Sequence, residues 1–322
     1  MEVYSSILKN IRMKEDKELT REIEKIIKSL KIQVPEISFA LIDLNGEEPM
    51  IAGFNMDKFI YPASIYKIFI AAEILRQADA ETINLDDKVE IRSPNDVYKD
   101  EPSFFPRSTR RNHRLLLRAG DKATLDYFLD LMLTRSDNTA ANVLLDIAGR
   151  ENINKNIILP NGWQGSEVTR KFLDRLKEEK EYRVSKITVS CARHLAELFY
   201  KTETRQLVNE RVSSKLKEYM MRRDYKKDRK KGLYLPDFQK YYSKGGWLEI
   251  NQYKWNIYRG VKAAIQKGYA IIRYSGDAGV VKGENSHYSI AMLTILKTKW
   301  PWQKFPMRDL SKKIYNLMES RR

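Results

Sequence analysis

The chain has 322 residues and 42% hydrophobic content, enough for a sizeable core in one large domain or two ordinary ones. Its single cysteine, Cys191, excludes a disulfide framework and falls in a helical pattern typical of a buried, inert thiol. The net charge of +16 allows non-specific attraction to polyanions, but the basic runs at 107–118 and 222–231 carry no nucleic-acid-binding motif. We therefore expect a solvated basic surface and no specific nucleic-acid partner.

Membrane insertion and export leave no clear pattern in the sequence. No stretch approaches the roughly 20 consecutive apolar residues that a membrane-spanning helix needs. The N-terminal segment also lacks the apolar centre and the small-residue cleavage site of a signal peptide. We expect no membrane span, and the residues alone leave the compartment open.

The first predicted element is an amphipathic helix over residues 5–30, where apolar residues recur at helical spacing among charged ones. Two strand-like runs then flank the turn signal Asn45-Gly46 and predict an antiparallel hairpin. We expect residues 1–35 to form an N-terminal amphipathic helical segment and residues 36–322 to form a single domain.

The stretch YPASIYKIFIAAEIL, residues 61–75, places Ser64 one helical turn before Lys67 and ahead of an apolar run. Residues three apart on a helix share a face, and burial beside the apolar run disfavours the ammonium form of the lysine. Such a lysine can hold or take the proton of a serine nucleophile. The same spacing also fits a capping serine followed by a lysine that buries only its stem.

Between residues 123 and 149 a helical pattern is interrupted by Ser136-Asp137-Asn138, which predicts two helices that meet at a turn, with Gly149 capping the second. The later patterns are, in order, helix 187–200, helix 208–223, strand 241–247, strand 269–283, strand 287–296 and helix 305–320. Strands near both ends of the chain predict an α+β fold: an antiparallel sheet of about five strands flanked by helices on both faces, with an all-helical subregion at about 68–220.

Three short motifs recur in an order that matches a known family. The Ser64-x-x-Lys67 motif is followed after 72 residues by Ser136-Asp137-Asn138 and, after 108 more, by Lys244-Gly245-Gly246. In this respect the chain resembles the penicillin-recognising serine enzymes, namely the class A β-lactamases and their D,D-peptidase relatives. The similarity extends over residues 37–296 and is closest to class A enzymes around the second motif.

The resemblance implies a role for each matching residue. Ser64 would be the acylated nucleophile and Lys67 its proton partner, while Ser136 would pass a proton to the leaving nitrogen. Asn138 would bind the side-chain amide of the substrate, and Lys244 would supply positive charge for the substrate carboxylate. No metal or cofactor is implied, and the three histidines show no metal-ligand spacing.

The resemblance also assigns a substrate-binding strand to Gly245, Gly246 and Trp247. The backbone N–H groups of Ser64 and Trp247 would form the oxyanion hole. Gly245 stands where the family has a threonine, which removes a hydroxyl that would bind the substrate carboxylate. Lys262 and Arg273 are the candidates to replace that contact.

The loop that carries the water-activating glutamate in class A enzymes has no recognisable counterpart. Counting along residues 161–186 brings Glu178 and Glu179 closest to the expected position, with Glu167 less well placed. The alternative is that these glutamates lie on a solvated helical face. A chain without a positioned base would be acylated but would release the acyl group slowly.

A basic and aromatic segment, residues 104–118, lies where the family borders its cleft, and it fits either a lip of the site or a surface loop.

We predict an active-site-serine hydrolase, similar to class A β-lactamases, that is acylated on Ser64 by β-lactams and hydrolyses the amide. One alternative is a D,D-carboxypeptidase or penicillin-binding-protein-like amidase or esterase with slow deacylation, acting on peptidoglycan-type D-alanyl substrates. The other is a non-catalytic relative that binds a cell-wall polymer. The family implies a periplasmic or secreted location, and the oligomeric state is left open.

Overall fold

The computed structural model describes residues 13–30, 36–97, 117–173, 187–223, 232–234, 240–251, 271–300 and 302–321. Its helices are α1 (Lys17–Lys28), α2 (Lys67–Asp79), α3 (Leu125–Thr134), α4 (Asn138–Ala148), α5 (Arg150–Ile153), α6 (Ala192–Glu203), α7 (Glu210–Met221) and α8 (Met307–Ser320). Its strands are β1 (Lys14–Glu15), β2 (Glu36–Asp43), β3 (Met50–Phe54), β4 (Lys88–Glu90), β5 (Lys122–Thr124), β6 (Lys240–Asn251), β7 (Ile271–Lys282) and β8 (His287–Thr298).

One sheet, in the order β1-β3-β2-β8-β7-β6, is built from strands at both ends of the chain. Its neighbouring strands are antiparallel, except that the two-residue strand β1 runs parallel to β3. This confirms the predicted α+β fold with five long antiparallel strands, and it adds one short edge strand that the sequence pattern did not indicate. Strands β4 and β5 form a separate antiparallel pair.

The hairpin predicted around Asn45-Gly46 is formed by β2 and β3, with residues 44–49 as the connection. The Asp43 side chain accepts a hydrogen bond of 2.9 Å from the Asn45 N–H, which stabilises the turn. Strand β2 pairs on its other side with β8, so the first and last parts of the sheet meet at its centre. That central position explains why the interior of β2 is buried on both faces.

On one face of the sheet, α1 and α8 pack over a cluster that includes Leu19, Ile23, Phe39 and Leu310. The first helix starts later than the amphipathic pattern suggested, because the Asp16 side chain caps it by accepting a 2.8 Å bond from the Leu19 N–H. Residues 5–12 of the predicted helix lie outside the described part of the chain.

The opposite face carries α2 to α7 and a larger hydrophobic cluster. Helix α2 is central to it: every side chain from Lys67 to Leu75 is buried. A helix that is apolar all round belongs in the interior, which explains the run that follows Lys67 in the sequence. In the described residues, no helix has the length and apolar content required to cross a membrane.

The carboxylate of Glu203, at the end of α6, links the helical layer to the sheet. It accepts hydrogen bonds from Tyr242 Oη and Lys217 Nζ, both 2.8 Å away, and lies 3.2 Å from His287 Nε2. Burial alone would raise the pKa of Glu203, but the contacts from His287, Lys217 and Tyr242 outweigh it and lower the pKa to about 2. This group therefore ties together α6, α7, β6 and β8.

We predict that Glu203→Gln lowers the free energy of unfolding at pH 7 by on the order of 2 kcal/mol. The folded pKa lies below the ordinary value of 4.5, so the stabilisation is present above pH 4.5 and is lost as the pH falls towards 2. Urea unfolding at pH 7 and at pH 3 measures the difference between wild type and variant. Glu218→Gln, the same change at a half-exposed carboxylate, is the control, and an equal loss at the two positions contradicts the prediction.

Candidate active site

Ser64 lies in a 3-10 turn, Ala63–Tyr66, that leads directly into α2. Ala63, the residue before it, has a φ of 47°, in the left-handed region that a non-glycine residue adopts only when its surroundings compel it. The turn packs against Gly246 of β6: a Cβ placed there would lie 2.5 Å from the Ser64 nitrogen and 2.9 Å from the Pro62 oxygen. The second glycine of the third motif therefore lets the strand reach the backbone of Ser64.

Lys67, the first residue of α2, is fully buried. Its Nζ atom donates to the Ser136 carbonyl oxygen at 2.6 Å and to Asn138 Oδ1 at 2.7 Å, and it lies 3.3 Å from Ser136 Oγ. Burial lowers the pKa of Lys67 to about 7, against the opposing effect of the nearby Asp137 carboxylate. A substantial share of the amine is therefore neutral near pH 7 and able to accept a proton.

The second motif forms a tight turn between α3 and α4. Ser136 has a φ of 56°, and the Asp137 side chain caps α4 by accepting a 2.8 Å bond from the Ala140 N–H. The turn directs Ser136 Oγ to Lys244 Nζ, 2.7 Å away, as well as towards Lys67. Two buried lysines therefore meet at one serine hydroxyl, which can pass a proton between them and a substrate.

The expected proton transfer between Ser64 and Lys67 stays a prediction. Ser64 belongs to the 3-10 turn that leads into α2, and Lys67 donates its hydrogen bonds to the second motif. Among the described residues no hydrogen bond joins Ser64 Oγ to Lys67 Nζ. Hydrogen bonds between catalytic groups are often long before substrate binds, and Ser136 Oγ is the hydroxyl in contact with both amines.

The structure brings Ser64, Lys67, Ser136, Asn138 and Lys244 to one place, where α2, the turn before α4 and strand β6 meet. Gly245, Gly246 and Trp247 follow Lys244 along β6 and pair with Asp277, Gly276 and Ser275 of β7. The Trp247 side chain is 75% exposed.

Phe172 is a residue of the site that sequence reasoning missed. Its ring centre lies 4.1 Å from Lys67 Nζ, and the ring stacks on Tyr66 with a centroid distance of 4.7 Å and an interplanar angle of 5°. The Phe172 N–H donates to Asn142 Oδ1 at 2.7 Å, and the Tyr66 hydroxyl donates to the Arg170 carbonyl at 2.9 Å. An apolar ring therefore covers the side of the Lys67 amine that faces the segment after the second motif.

Glu178 and Glu179, the glutamates predicted as deacylation bases, lie outside the described residues, as do residues 104–116 of the predicted basic lip. Glu167 is described, and its backbone pairs with Val189 in an isolated bridge. No described carboxylate forms a hydrogen bond with Lys67. No local pattern in the sequence indicated that Phe172 would lie beside Lys67.

The missing threonine of the third motif leaves Gly245 facing an acid. Asp277 is directly opposite Gly245 in the strand register, and its Oδ2 atom lies 3.4 Å from the position that a Cβ on Gly245 would occupy. Burial raises the pKa of Asp277, while Arg223 opposes the shift, and Asp277 Oδ2 accepts a 3.1 Å bond from the Leu233 N–H. The carboxyl group of Asp277 therefore lies beside Gly245, at the position where the resembled family has a threonine hydroxyl for the substrate carboxylate.

Of the two candidates for a replacement cation, Arg273 alone lies in the described part of the chain, where it is engaged elsewhere. Arg273 Nε donates to Glu249 Oε2 at 2.9 Å, and Arg273 Nη1 donates to the Gln303 carbonyl. Arg273 pairs with Glu249, four residues along β6 from Gly245, so it is engaged some distance from the site. Lys262 lies outside the described residues.

The side of the cleft away from Lys244 is apolar. Leu248, two residues beyond Gly246 on the same face of β6, is 40% exposed and lies opposite Tyr274 of β7. The Tyr274 ring packs edge-on against Tyr61, three residues before Ser64, with a centroid distance of 5.7 Å. Among the described residues, no group of three or more His, Cys, Asp or Glu side chains is placed to hold a metal ion.

Comparison with known proteins identifies a family and a fold. The model of a family described as the beta-lactamase enzyme family matches residues 18–318, and no curated protein matches the chain. The solved structure of PBP-A is 17% identical, with a TM-score of 0.67 over 95% of this chain and 98% of its own. The TLA-1 extended-spectrum β-lactamase is 18% identical, with a TM-score of 0.68 over 94% and 99%. A β-lactamase from Sphaerobacter thermophilus is 17% identical, with a TM-score of 0.65 over 92% and 96%.

The two glycines of the third motif provide a matched test of how closely β6 approaches the Ser64 turn. A Cβ at Gly246 would collide with backbone atoms, whereas one at Gly245 would make ordinary contacts with Asp277. We expect Gly246→Ala to lower the free energy of unfolding by more than about 2 kcal/mol and Gly245→Ala to change it by less than about 1 kcal/mol. Equal effects in a urea titration of the two variants would show that the strand and the turn are not in contact.

Proposed function

Because the chain belongs to the β-lactamase enzyme family, we propose that it is a serine hydrolase that opens a β-lactam or cleaves a D-alanyl amide through an acyl-enzyme on Ser64. The observation that carries this proposal is the contact of Ser136 Oγ with two buried lysines, at 3.3 Å from Lys67 Nζ and 2.7 Å from Lys244 Nζ. A helix cap or a turn requires neither lysine to be buried. Proton transfer to and from a reacting serine requires an amine that can lose its charge.

In the proposed reaction the neutral amine of Lys67 takes the proton of the Ser64 hydroxyl, through Ser136 or directly once substrate has closed the site. The Ser64 oxygen then forms a bond to the carbonyl carbon, and the N–H groups of Ser64 and Trp247 stabilise the resulting oxyanion. When the C–N bond breaks, Ser136 delivers to the leaving nitrogen the proton held by Lys67. Water then hydrolyses the ester and restores the Ser64 hydroxyl.

Lys244 and Asn138 support this sequence in different ways. Lys244 is 1% exposed and donates to Ser136 Oγ, so its charge favours the form of Ser136 that has given up its proton. Asn138 Oδ1 accepts from Lys67 Nζ, which leaves its amide NH₂ group to donate to a substrate carbonyl. Gly245 provides no side-chain hydroxyl, which favours substrates that do not depend on a strongly bound carboxylate at that point.

A second candidate function, a penicillin-binding-protein-like amidase or esterase with slow deacylation, is favoured by Phe172. An aromatic ring 4.1 Å from Lys67 Nζ excludes water from that side of the amine, and the ring has no group that could activate a water molecule for hydrolysis. Acylation needs only Lys67 and Ser136, whereas hydrolysis of the ester also needs an activated water. A solved relative, a mutant of PBP-A at 18% identity, is described as an acyl-enzyme complex with penicillin G.

Intact-mass spectrometry with penicillin G tests the proposal and separates the two candidates. Wild type is expected to gain the mass of the intact penicillin, and Ser64→Ala is expected to gain none. An adduct that disappears as hydrolysed penicillin accumulates favours the lactamase, and an adduct that persists with little product favours the slow-deacylating enzyme. Absence of an adduct with both penicillin G and a D-alanyl thioester would contradict serine acyl transfer and favour the binding relative.

The pKa of Lys67 predicts the pH dependence of acylation. Only the neutral amine can accept the Ser64 proton, so the rate of adduct formation should rise with pH and level off above about 7. Lys67→Arg, which keeps the charge at all accessible pH values, should lower that rate by about 100-fold or more. Stopped-flow labelling with a fluorescent penicillin between pH 5 and 9 is the measurement. A rate that is independent of pH in this range would exclude Lys67 as the base.

A further inference from the structure

Two indole side chains are held on the surface at the end of the sheet where β8 leaves it. Trp300 is 54% exposed and Trp302 is 71% exposed, and their rings stack on each other with a centroid distance of 5.0 Å and an interplanar angle of 19°. Each ring therefore shields the other on one side and leaves apolar surface in contact with water. A large aromatic side chain is normally buried, so a pair displayed in this way calls for an explanation.

The turn that displays the indoles is tied down by hydrogen bonds. The Trp300 N–H donates to Thr298 Oγ1 at 3.0 Å, and the Gln303 N–H donates to the Trp300 carbonyl at 3.3 Å. Arg273 of β7 connects this segment to the sheet, because it donates hydrogen bonds both to the Gln303 carbonyl and to the Glu249 carboxylate on β6. Hydrogen bonds therefore hold the backbone at Trp300 and at Gln303, next to the two exposed rings.

The two rings belong to one short stretch of chain that follows β8. We call Trp300 and Trp302, which are in direct ring contact, the tryptophan patch. Trp247, on β6, is also exposed, at 75%, but it pairs in register with Ser275 of β7 and is not counted in the patch.

The chain around the patch is strongly basic. Between Lys297 and Lys313 the sequence holds six lysines and arginines and a single acid, Asp309. Lys299 and Lys304 are exposed beside the two indoles. This combination suits the boundary of an anionic bilayer, where indoles occupy the headgroup layer and each nearby cation adds electrostatic attraction.

We propose that the tryptophan patch docks the protein onto an anionic lipid surface as a peripheral contact. The inference goes beyond the hydrolase proposal and does not depend on it. A soluble polyanion would be attracted by the lysines alone and would leave the indoles without a role. An anionic bilayer would bind both the indoles and the lysines, because transfer of the rings out of water and approach of the cations to lipid phosphates each lower the free energy.

Vesicle sedimentation tests the proposal with the full chain. Wild type should partition onto vesicles of 70% phosphatidylcholine and 30% phosphatidylglycerol, and Trp300→Ala/Trp302→Ala should reduce the partition coefficient about tenfold. Lys299→Gln/Lys304→Gln should reduce it by a similar factor on these vesicles but not on pure phosphatidylcholine. Met221→Ala/Leu159→Ala, which removes two exposed apolar side chains elsewhere, is the matched control and should bind as wild type does.

Quenching of tryptophan emission by brominated lipid distinguishes insertion from charge attraction. Quenching that is present in wild type and lost in Trp300→Ala/Trp302→Ala supports the proposal. Equal vesicle binding by wild type and that double variant would overturn it and would assign the binding to net charge alone. Failure of wild type to bind either vesicle would also overturn it. Stronger binding to soluble poly-glutamate than to the charged vesicles would identify the patch region as a polyanion site instead.

Discussion

The burial of the Lys67 amine is the constraint on which the rest of the site depends. An ammonium group removed from water must be satisfied by acceptors, and here the Ser136 carbonyl and Asn138 Oδ1 provide them. These contacts draw the turn between α3 and α4 onto the start of α2. The same burial lowers the pKa of the amine to about 7, so one interaction both holds the helices together and provides a group that can exchange a proton.

The sheet completes the site from the other side. Gly246 allows β6 to contact the backbone of the Ser64 turn, and Lys244 reaches the Ser136 hydroxyl from the same strand. The site is therefore assembled from three parts of the chain that are distant in sequence. Among the described residues β6 is the edge strand of the sheet, and it lies beside the Ser64 turn.

Much of the arrangement could be predicted from the sequence. Local patterns were sufficient for the hairpin at Asn45-Gly46 and for the helix break at Ser136 to Asn138, because both depend on turn residues and nearby contacts. Residues with no such local signal were missed. Phe172 covers Lys67 from a segment that the sequence does not mark, and the Asp277 carboxylate faces Gly245 only because β6 and β7 pair in one particular register. The hydrogen bonds that Lys67 donates to the second motif were also not indicated by the spacing of Ser64 and Lys67, because they depend on how distant segments pack.

The sequence by itself determined the fold class and the set of side chains that can do chemistry, because motif order and hydrophobic periodicity are properties of the linear chain. Only the tertiary structure decided which atoms those side chains touch. It directed Lys67 to Ser136, engaged Arg273 with Glu249, and stacked the exposed rings of Trp300 and Trp302 on each other beyond the end of β8. The physical reason is that burial, strand register and side-chain direction are set by contacts between segments far apart in the chain, which no local pattern of residues encodes.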